Sequence, residues 1–208
     1  MPAIKSMISD KRPTLRQRQA LATRNLILEA ARDLFLERGY ANTTIEAIAD
    51  QAGTAASTVY AIFGSKRGLL RLIRQAWHEQ TFIKEFLASE QREVEPARRL
   101  EGLAAATRRQ WEMGMEVVAI YRGAAAVDKD AAAELAEALE GRHRGLDKFT
   151  KSLAPGLREG LDIQNASAIL RTLCLVEVYE ELVKRSGWTP EAYQQWLAST
   201  LKQELLEK

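Results

Sequence analysis

The chain has 208 residues, 46% hydrophobic and 28% charged, enough to bury a core and stay soluble, so a disordered or fibrous protein is excluded. A single cysteine, Cys174, forbids an internal disulfide, argues against a cysteine-based zinc site and fits a reducing cytoplasm. The net charge of +2 hides an asymmetry: residues 1–74 hold 12 Lys+Arg against 6 Asp+Glu, while the remaining 18 bases face 22 acids, so a polyanionic partner is expected for the first third alone.

The longest apolar stretches, such as residues 117–121, are far too short to span a membrane, and residues 1–10 lack the apolar segment of a secretory signal. Residues 1–19 read as a flexible basic arm in which Lys11, Arg12, Arg16 and Arg18 stand with few apolar anchors, either a solvated tail or an arm that reaches a partner. From Gln19 the pattern turns helical. Leu26, Ile27, Ala30, Ala31, Leu34 and Phe35 form one stripe through Arg38, Gly39 stops the helix, and Tyr40 folds back on its last turn.

Thr43 or Thr44 can cap a short second helix whose Ile45, Ile48, Ala49 and Ala52 share a face before Gly53 ends it. At barely two turns it must pack on a neighbour to persist. A third helix runs through Ala56 to Ala61 and closes near residues 62–64. Ser65 then caps a longer one from Lys66 to about Leu87, with Leu69, Leu70, Leu72, Ile73 and Trp77 on its buried side.

The remainder is helical too. Pro96 suits a first turn, and that helix is expected to reach Met113, with Gly114 as a break before a further helix over residues 115–126. Asp128 or Asp130 caps a long helix to about Leu153, residues 154–156 break the chain, and one helix spans residues 163–185. Thr189 and Pro190 open the last, which runs to about Leu206. The expected fold is all-α, with about nine helices, no strand and no repeat.

Residues 44–63 carry the chemistry. A helix-turn-helix needs two short helices crossing at a tight turn, with small residues where the backbones approach. Here Ala49 sits at the crossing, Gly53 supplies the turn, and Ile45, Ile48, Val59 and Ile62 are expected to fill the wedge. The second helix is small and polar, narrow enough to enter a major groove. Two short helices around a glycine also occur in plain helical domains, so spacing alone leaves that alternative open.

The flanking segments, residues 27–40, 43–45, 48–49, 52–53 and 58–66, stand in one order, and together residues 20–77 resemble the N-terminal DNA-binding domain of the TetR family of bacterial transcriptional regulators. The resemblance implies a recognition helix over residues 55–61. It also implies a phosphate contact at Thr44, groove-facing positions at Ala56, Ser57, Thr58 and Ala61, a backbone contact at Tyr60, and a phosphate contact at Lys66. Hydroxyls and helix-start amides suit phosphate oxygens. Thr54 stands where the family has Val or Ile, and Arg67-Gly68 replaces an acidic-then-small pair. With so many alanines, readout is expected through Ser57, Thr58, thymine methyls and DNA shape, aided by the basic arm.

For residues 78–208 the resemblance implies an effector chamber and a homodimer bound to double-stranded DNA at a palindromic operator. Candidate pocket residues are Trp111, Met115, Tyr121, Arg122, Phe149, Cys174, Glu177 and Tyr179. Arg122 and Glu177 are the sharper pair, facing either a ligand or each other. Ile169, Leu170, Leu173, Val176, Tyr193, Trp196, Leu197 and Leu201 offer a dimer face or, alternatively, pack within the monomer. His78 and His143 are lone histidines, so no metal is expected, and nothing calls for a cofactor. The stretch of residues 141–145 around Arg142 reads as a solvated face. No nucleophile–base arrangement supports a helical enzyme. A small-molecule-responsive cytoplasmic repressor is expected, with a ligand-independent architectural DNA-binding protein as the alternative.

Overall fold

Thr14 opens the first helix through a reciprocal cap: its hydroxyl accepts from the Gln17 amide at 3.2 Å, and its own amide donates to Gln17 Oε1 at 2.8 Å. The computed structural model describes residues 14–80, without the side chains of 78–80, and residues 93–206. Helix α1 spans Leu15–Asn42. The expected flexible arm is therefore helical over residues 15–19, and its residues 1–13 lie outside the described ones. No side chain of α1 is buried before Ile27. Gly39 breaks the helical path at φ +78, a conformation open mainly to glycine, and returns Tyr40 to within 5.2 Å of the Phe35 ring.

Thr44 caps α2 (Ile45–Gln51) by accepting from the Ala47 amide at 3.1 Å. Thr43 instead is buried, with its hydroxyl between the carbonyls of Gly39 at 2.8 Å and Leu34 at 3.1 Å, which ties the start of α2 to α1. Gly53, at φ +64, makes the turn, closed by the Thr54 amide on the Ala49 carbonyl at 2.9 Å. Helix α3 (Ala56–Phe63) runs past the expected end at Ala61. Ile62 does not fill the wedge. The buried stripe of α3 follows half-buried Ala56, then Val59 and Phe63, and Ile62, about 100° around the helix from Phe63, is 40% exposed.

Helix α4 (Lys66–Gln80) starts with the Ser65 hydroxyl on the Gly68 amide at 3.1 Å, and buries Leu69, Leu70, Ile73 and Trp77 with Leu72 half-buried. The expected extension to Leu87 lies outside the described residues. Helix α5 (Pro96–Ala125) runs unbroken through Gly114, contrary to the expected break. The glycine serves a close approach instead: a Cβ there would lie 2.2 Å from Cε2 of the Trp77 indole. Of the two candidate caps, Asp128 caps α6 (Lys129–Ser152), accepting from the Asp130 and Ala131 amides.

A 3₁₀ turn (Ala154–Gly156) leads to α7 (Ile163–Leu173), capped by Asp162. The single helix expected over residues 163–185 is two. Leu175 is extended (φ −63, ψ 149), after which α8 (Val176–Tyr179) begins and widens into a π-helical stretch, Glu180–Arg185. Helix α9 (Pro190–Leu205) is capped by Thr189. Joining one expected pair and splitting one expected helix leaves nine helices among the described residues. Helix α5 is the hub, packing against α1, α4, α6, α8 and α9.

Candidate nucleic-acid interface and ligand chamber

The helix-turn-helix presents one flank of α3 to solvent. Ser57 and Ala61 are exposed, Tyr60 is 49% exposed, and Ala56 and Thr58 are half-buried at the helix start, while Val59 and Phe63 anchor the opposite side. Thr44 is exposed at the start of α2. Lys66 does not stand with them. Its ammonium donates to the carbonyls of Tyr40 at 2.6 Å, Thr43 at 2.9 Å and Ala41 at 3.5 Å, and sits 4.3 Å from the centre of the Tyr40 ring. With its donors turned onto these carbonyls, Lys66 clamps the end of α1. Its burial pulls the ammonium below its ordinary pKa.

Behind that face lies the seam between the two halves of the molecule. Arg67 reaches Asp130 at 2.5 Å and Asp128 at 3.4 Å, and the Tyr40 hydroxyl donates to Asp128 at 3.3 Å. Arg32 of α1 pairs with Glu116 of α5, and Arg71 of α4 with Glu134 of α6 at 3.7 Å. Arg67 thus ties the start of α4 to the start of α6.

A cavity of about 280 Å³ opens between α4, α5, α6 and the α7–α8 junction. Trp77, Trp111, Val117, Val118, Leu135, Leu146 and Leu175 give it an apolar wall, and Tyr121, Arg122 and Glu177 also line it. Arg122 and Glu177 pair with each other, both about half exposed. The other four candidates lie off the lining, each for a visible reason. Phe149 is buried under Arg99, 5.1 Å from its ring centre, and Tyr179 meets Tyr193 edge-on at 4.9 Å. The Cys174 thiol is fully buried beside the Thr107 hydroxyl at 3.8 Å, and that burial pushes its pKa up. Met115 falls just past the edge of the α5 stripe made by residues 110, 111, 117, 118, 121 and 122.

Arg142 faces the chamber rather than solvent, correcting the reading of residues 141–145 as a solvated face. It donates to Gln110 Oε1 at 2.8 Å and to the Cys174 carbonyl at 2.6 Å, and lies 4.7 Å from the Trp111 ring centre. Trp111 Nε1 donates to the same Cys174 carbonyl at 3.2 Å. The signal that could have found Arg142 is its register: it falls on the apolar stripe of Leu135, Ala138 and Leu146. Arg74, Trp77 and Gln110 also line the chamber, none of them marked out by the sequence pattern as a pocket residue.

Residues 27–73 match the family model for bacterial regulatory proteins of the tetR family. Over those residues the chain is similar to the regulatory domain of the tetR family. Solved structures agree in fold over nearly the whole length. The SmeT–triclosan complex is 21% identical with a TM-score of 0.72, covering 90% of this chain and 93% of that one. A proposed transcriptional regulator of Saccharomonospora viridis bound to choline is 20% identical with a TM-score of 0.68, covering 91% and 100%. The regulator FadR of Bacillus subtilis bound to stearoyl-CoA is 20% identical with a TM-score of 0.64, covering 86% and 97%. No curated protein matches the chain.

The TetR resemblance implied a dimer face, and most of the residues expected there are taken up within one protomer. Leu170, Val176, Tyr193, Leu197 and Leu201 are buried, because α7, α8 and α9 turn those stripes onto the protein's own core. Ile169, Leu173 and Trp196 pack against that core but remain half-buried. Trp188 is exposed against Trp196, with ring centres 6.1 Å apart. Among the described residues, no helix is long and apolar enough to cross a membrane.

Proposed function

We propose that this protein is a homodimeric transcriptional repressor that leaves a palindromic operator when a small-molecule effector fills its chamber. The observation that carries the reading is the exposed flank of α3. Ser57, Tyr60 and Ala61 face solvent beside Thr44, while Val59 and Phe63 lock the helix to the domain behind. Hydroxyls at Thr44, Ser57 and Thr58 suit phosphates and base edges, Ala56 and Ala61 suit thymine methyls, and Tyr60 suits the sugar-phosphate backbone. Lys66 drops out of the contact set, so positive charge comes from the N-terminal segment with Arg16 and Arg18.

One such helix holds DNA weakly; a two-fold pair reads half-sites about one helical turn apart. Half-buried Ile169 and Leu173 of α7 and Trp196 of α9, with exposed Trp188 just before α9, supply the apolar surface for that pairing. The chamber touches α4 through Arg74 and Trp77, and α4 continues directly from the DNA-contacting pair. A ligand that favours one position of α4 shifts operator affinity by its differential affinity for the two states, about 1.4 kcal/mol for each tenfold. Relatives of this fold bound to triclosan, choline and stearoyl-CoA support a ligand-responsive role. The protein is a cytoplasmic regulator in this reading, not an enzyme.

Selection of duplexes from a random pool, followed by sequencing, tests it. The expected outcome is a palindromic consensus bound about 10³-fold or more tighter than random DNA. Tyr60→Ala is expected to weaken consensus binding by about tenfold, the loss of one backbone contact of roughly 1–1.5 kcal/mol, while leaving the dimer intact. Enrichment without symmetry points instead to an architectural DNA-binding protein, and a monomeric Tyr60→Ala variant overturns the assignment of domains.

A further inference from the structure

The chamber carries an electrostatic imbalance. Arg74, Arg122, Arg142 and Arg171 line it against one carboxylate, Glu177. Two of these arginines are matched, Arg122 by Glu177 and Arg171 by Asp147 at 3.3 Å. Arg142 is not: its two hydrogen bonds go to neutral acceptors, Gln110 Oε1 and the Cys174 carbonyl, and no carboxylate among the described residues reaches it. A desolvated cation without a counter-charge is costly, and three of its five N–H donors remain available. Burial pulls its guanidinium below its ordinary pKa, as expected of a cation lacking a carboxylate neighbour.

The aromatic groups point the same way. Trp111 and Tyr121 would ordinarily suit a quaternary ammonium, yet Arg142 lies 4.7 Å from the centre of the first ring and Arg74 5.6 Å from the second. A cationic ligand would meet two guanidinium groups at the rings it needs. The volume, about 280 Å³, falls just below the roughly 300–1,000 Å³ of drug-sized sites, a size that suits a ring system or a short acyl chain.

We infer that the chamber takes a small organic monoanion, an apolar body ending in a carboxylate, with Arg142 as its counter-ion. This deepens the regulatory reading above and rests on the chamber being its effector site. The guanidinium fork presents paired N–H donors to two carboxylate oxygens, and the apolar wall holds the body. Recruitment by a ligand draws Arg142 off the Cys174 carbonyl, leaving Trp111 Nε1 as its donor. Trp111 lies against Trp77 of α4 at 6.3 Å, and Trp77 Nε1 donates to the Gln110 carbonyl at 3.2 Å. The Arg142 guanidinium is therefore linked through Trp111 and Trp77 to α4, the helix that follows the DNA-binding pair.

Isothermal titration calorimetry of the full-length protein tests this with three probes: naphthalene-2-carboxylate, its neutral isostere naphthalene-2-carboxamide, and choline. The carboxylate is expected to bind about tenfold or more tighter than the amide, as a charge-assisted pair requires, with no measurable heat from choline. In Arg142→Gln the carboxylate loses that advantage while the amide is unchanged, and Arg142→Lys keeps part of it. Amide binding equal to or tighter than the carboxylate overturns the inference, as does choline binding, a carboxylate preference that survives Arg142→Gln, or no carboxylate heat at millimolar concentration. The wild-type comparison decides even if Arg142→Gln loosens the fold through the lost Cys174 contact. A protein that prefers the carboxylate but selects no palindrome keeps this inference and loses the regulatory reading; a palindrome with an amide preference does the reverse.

Discussion

Glycine inside a helix costs about 0.5–1 kcal/mol relative to alanine, so its presence at Gly114 needs a reason. The reason is Trp77, whose indole lies flush against the α5 backbone there, within 2.2 Å of where a Cβ would stand. Gly114→Ala is therefore expected to destabilise the protein by about 1–3 kcal/mol through overpacking, despite alanine's better helix propensity. Urea denaturation followed by circular dichroism reads the sign directly, as a lower midpoint at unchanged slope. A raised midpoint would mean that Trp77 is not seated on α5. In sequence the same glycine resembles a helix break, because a close approach and a break leave the same mark on the chain and only the partner distinguishes them. Arg142 is hidden for a like reason: its neighbours Gly141, His143, Arg144 and Gly145 look solvated, while its acceptors, Gln110 and Cys174, are 32 positions away on either side.

Among the elements, the helix-turn-helix is legible in the sequence because its determinants are local. Thr44, Ala49 and Gly53 act within a few residues of themselves, as cap, crossing point and turn. The division between α7 and α8 is not. Neither Cys174 nor Leu175 breaks a helix by type; the chain opens there because Trp111 and Arg142, from two other helices, hold the carbonyl that Cys174 presents. The candidate dimer face is half legible, since an amphipathic stripe shows that a face is apolar without showing what covers it. Leu170 and Leu173 separate the cases. Leu170 is fully buried in its own protomer, whereas Leu173 is only half-buried at the edge of the core. Leu173→Glu is expected to yield a folded monomer by analytical ultracentrifugation. Leu170→Ala should instead lower stability by about 2–5 kcal/mol without dissociating the proposed dimer. A Leu173→Glu protein that remains dimeric moves the interface away from α7.

At the scale of the whole molecule, one carboxylate among those between the N-terminal helices and the chamber helices has two jobs. Asp128 caps α6, the helix that bears Arg142, and accepts from Tyr40 and Arg67 of the DNA-binding half. Its pKa is held below the ordinary value, first by the Ala131 amide and then by the Asp130 amide, Arg67 and Tyr40, with burial opposing. The Tyr40 hydroxyl is pushed up to about 12, by burial first and by Asp128 next. A depressed carboxylate stabilises the fold above its unfolded pKa, near 3.9, and that contribution is lost as pH falls through the folded value. Asp128→Asn keeps the shape but weakens the cap and removes the charge facing Arg67, so it is expected to melt several degrees lower at pH 7. The gap from the wild type should narrow as pH falls below the unfolded value near 3.9 and on through the lower folded value, where the native carboxylate also becomes neutral. Thermal melts across that range measure it. A gap that stays constant would assign the loss to side-chain geometry rather than charge, because Asn presents the same shape at every pH. Loosening this contact frees the α6 start from both Tyr40 and Arg67 at once, so the variant is also expected to bind the operator with less dependence on effector. Charge at the cap and coupling between the halves therefore rise and fall together.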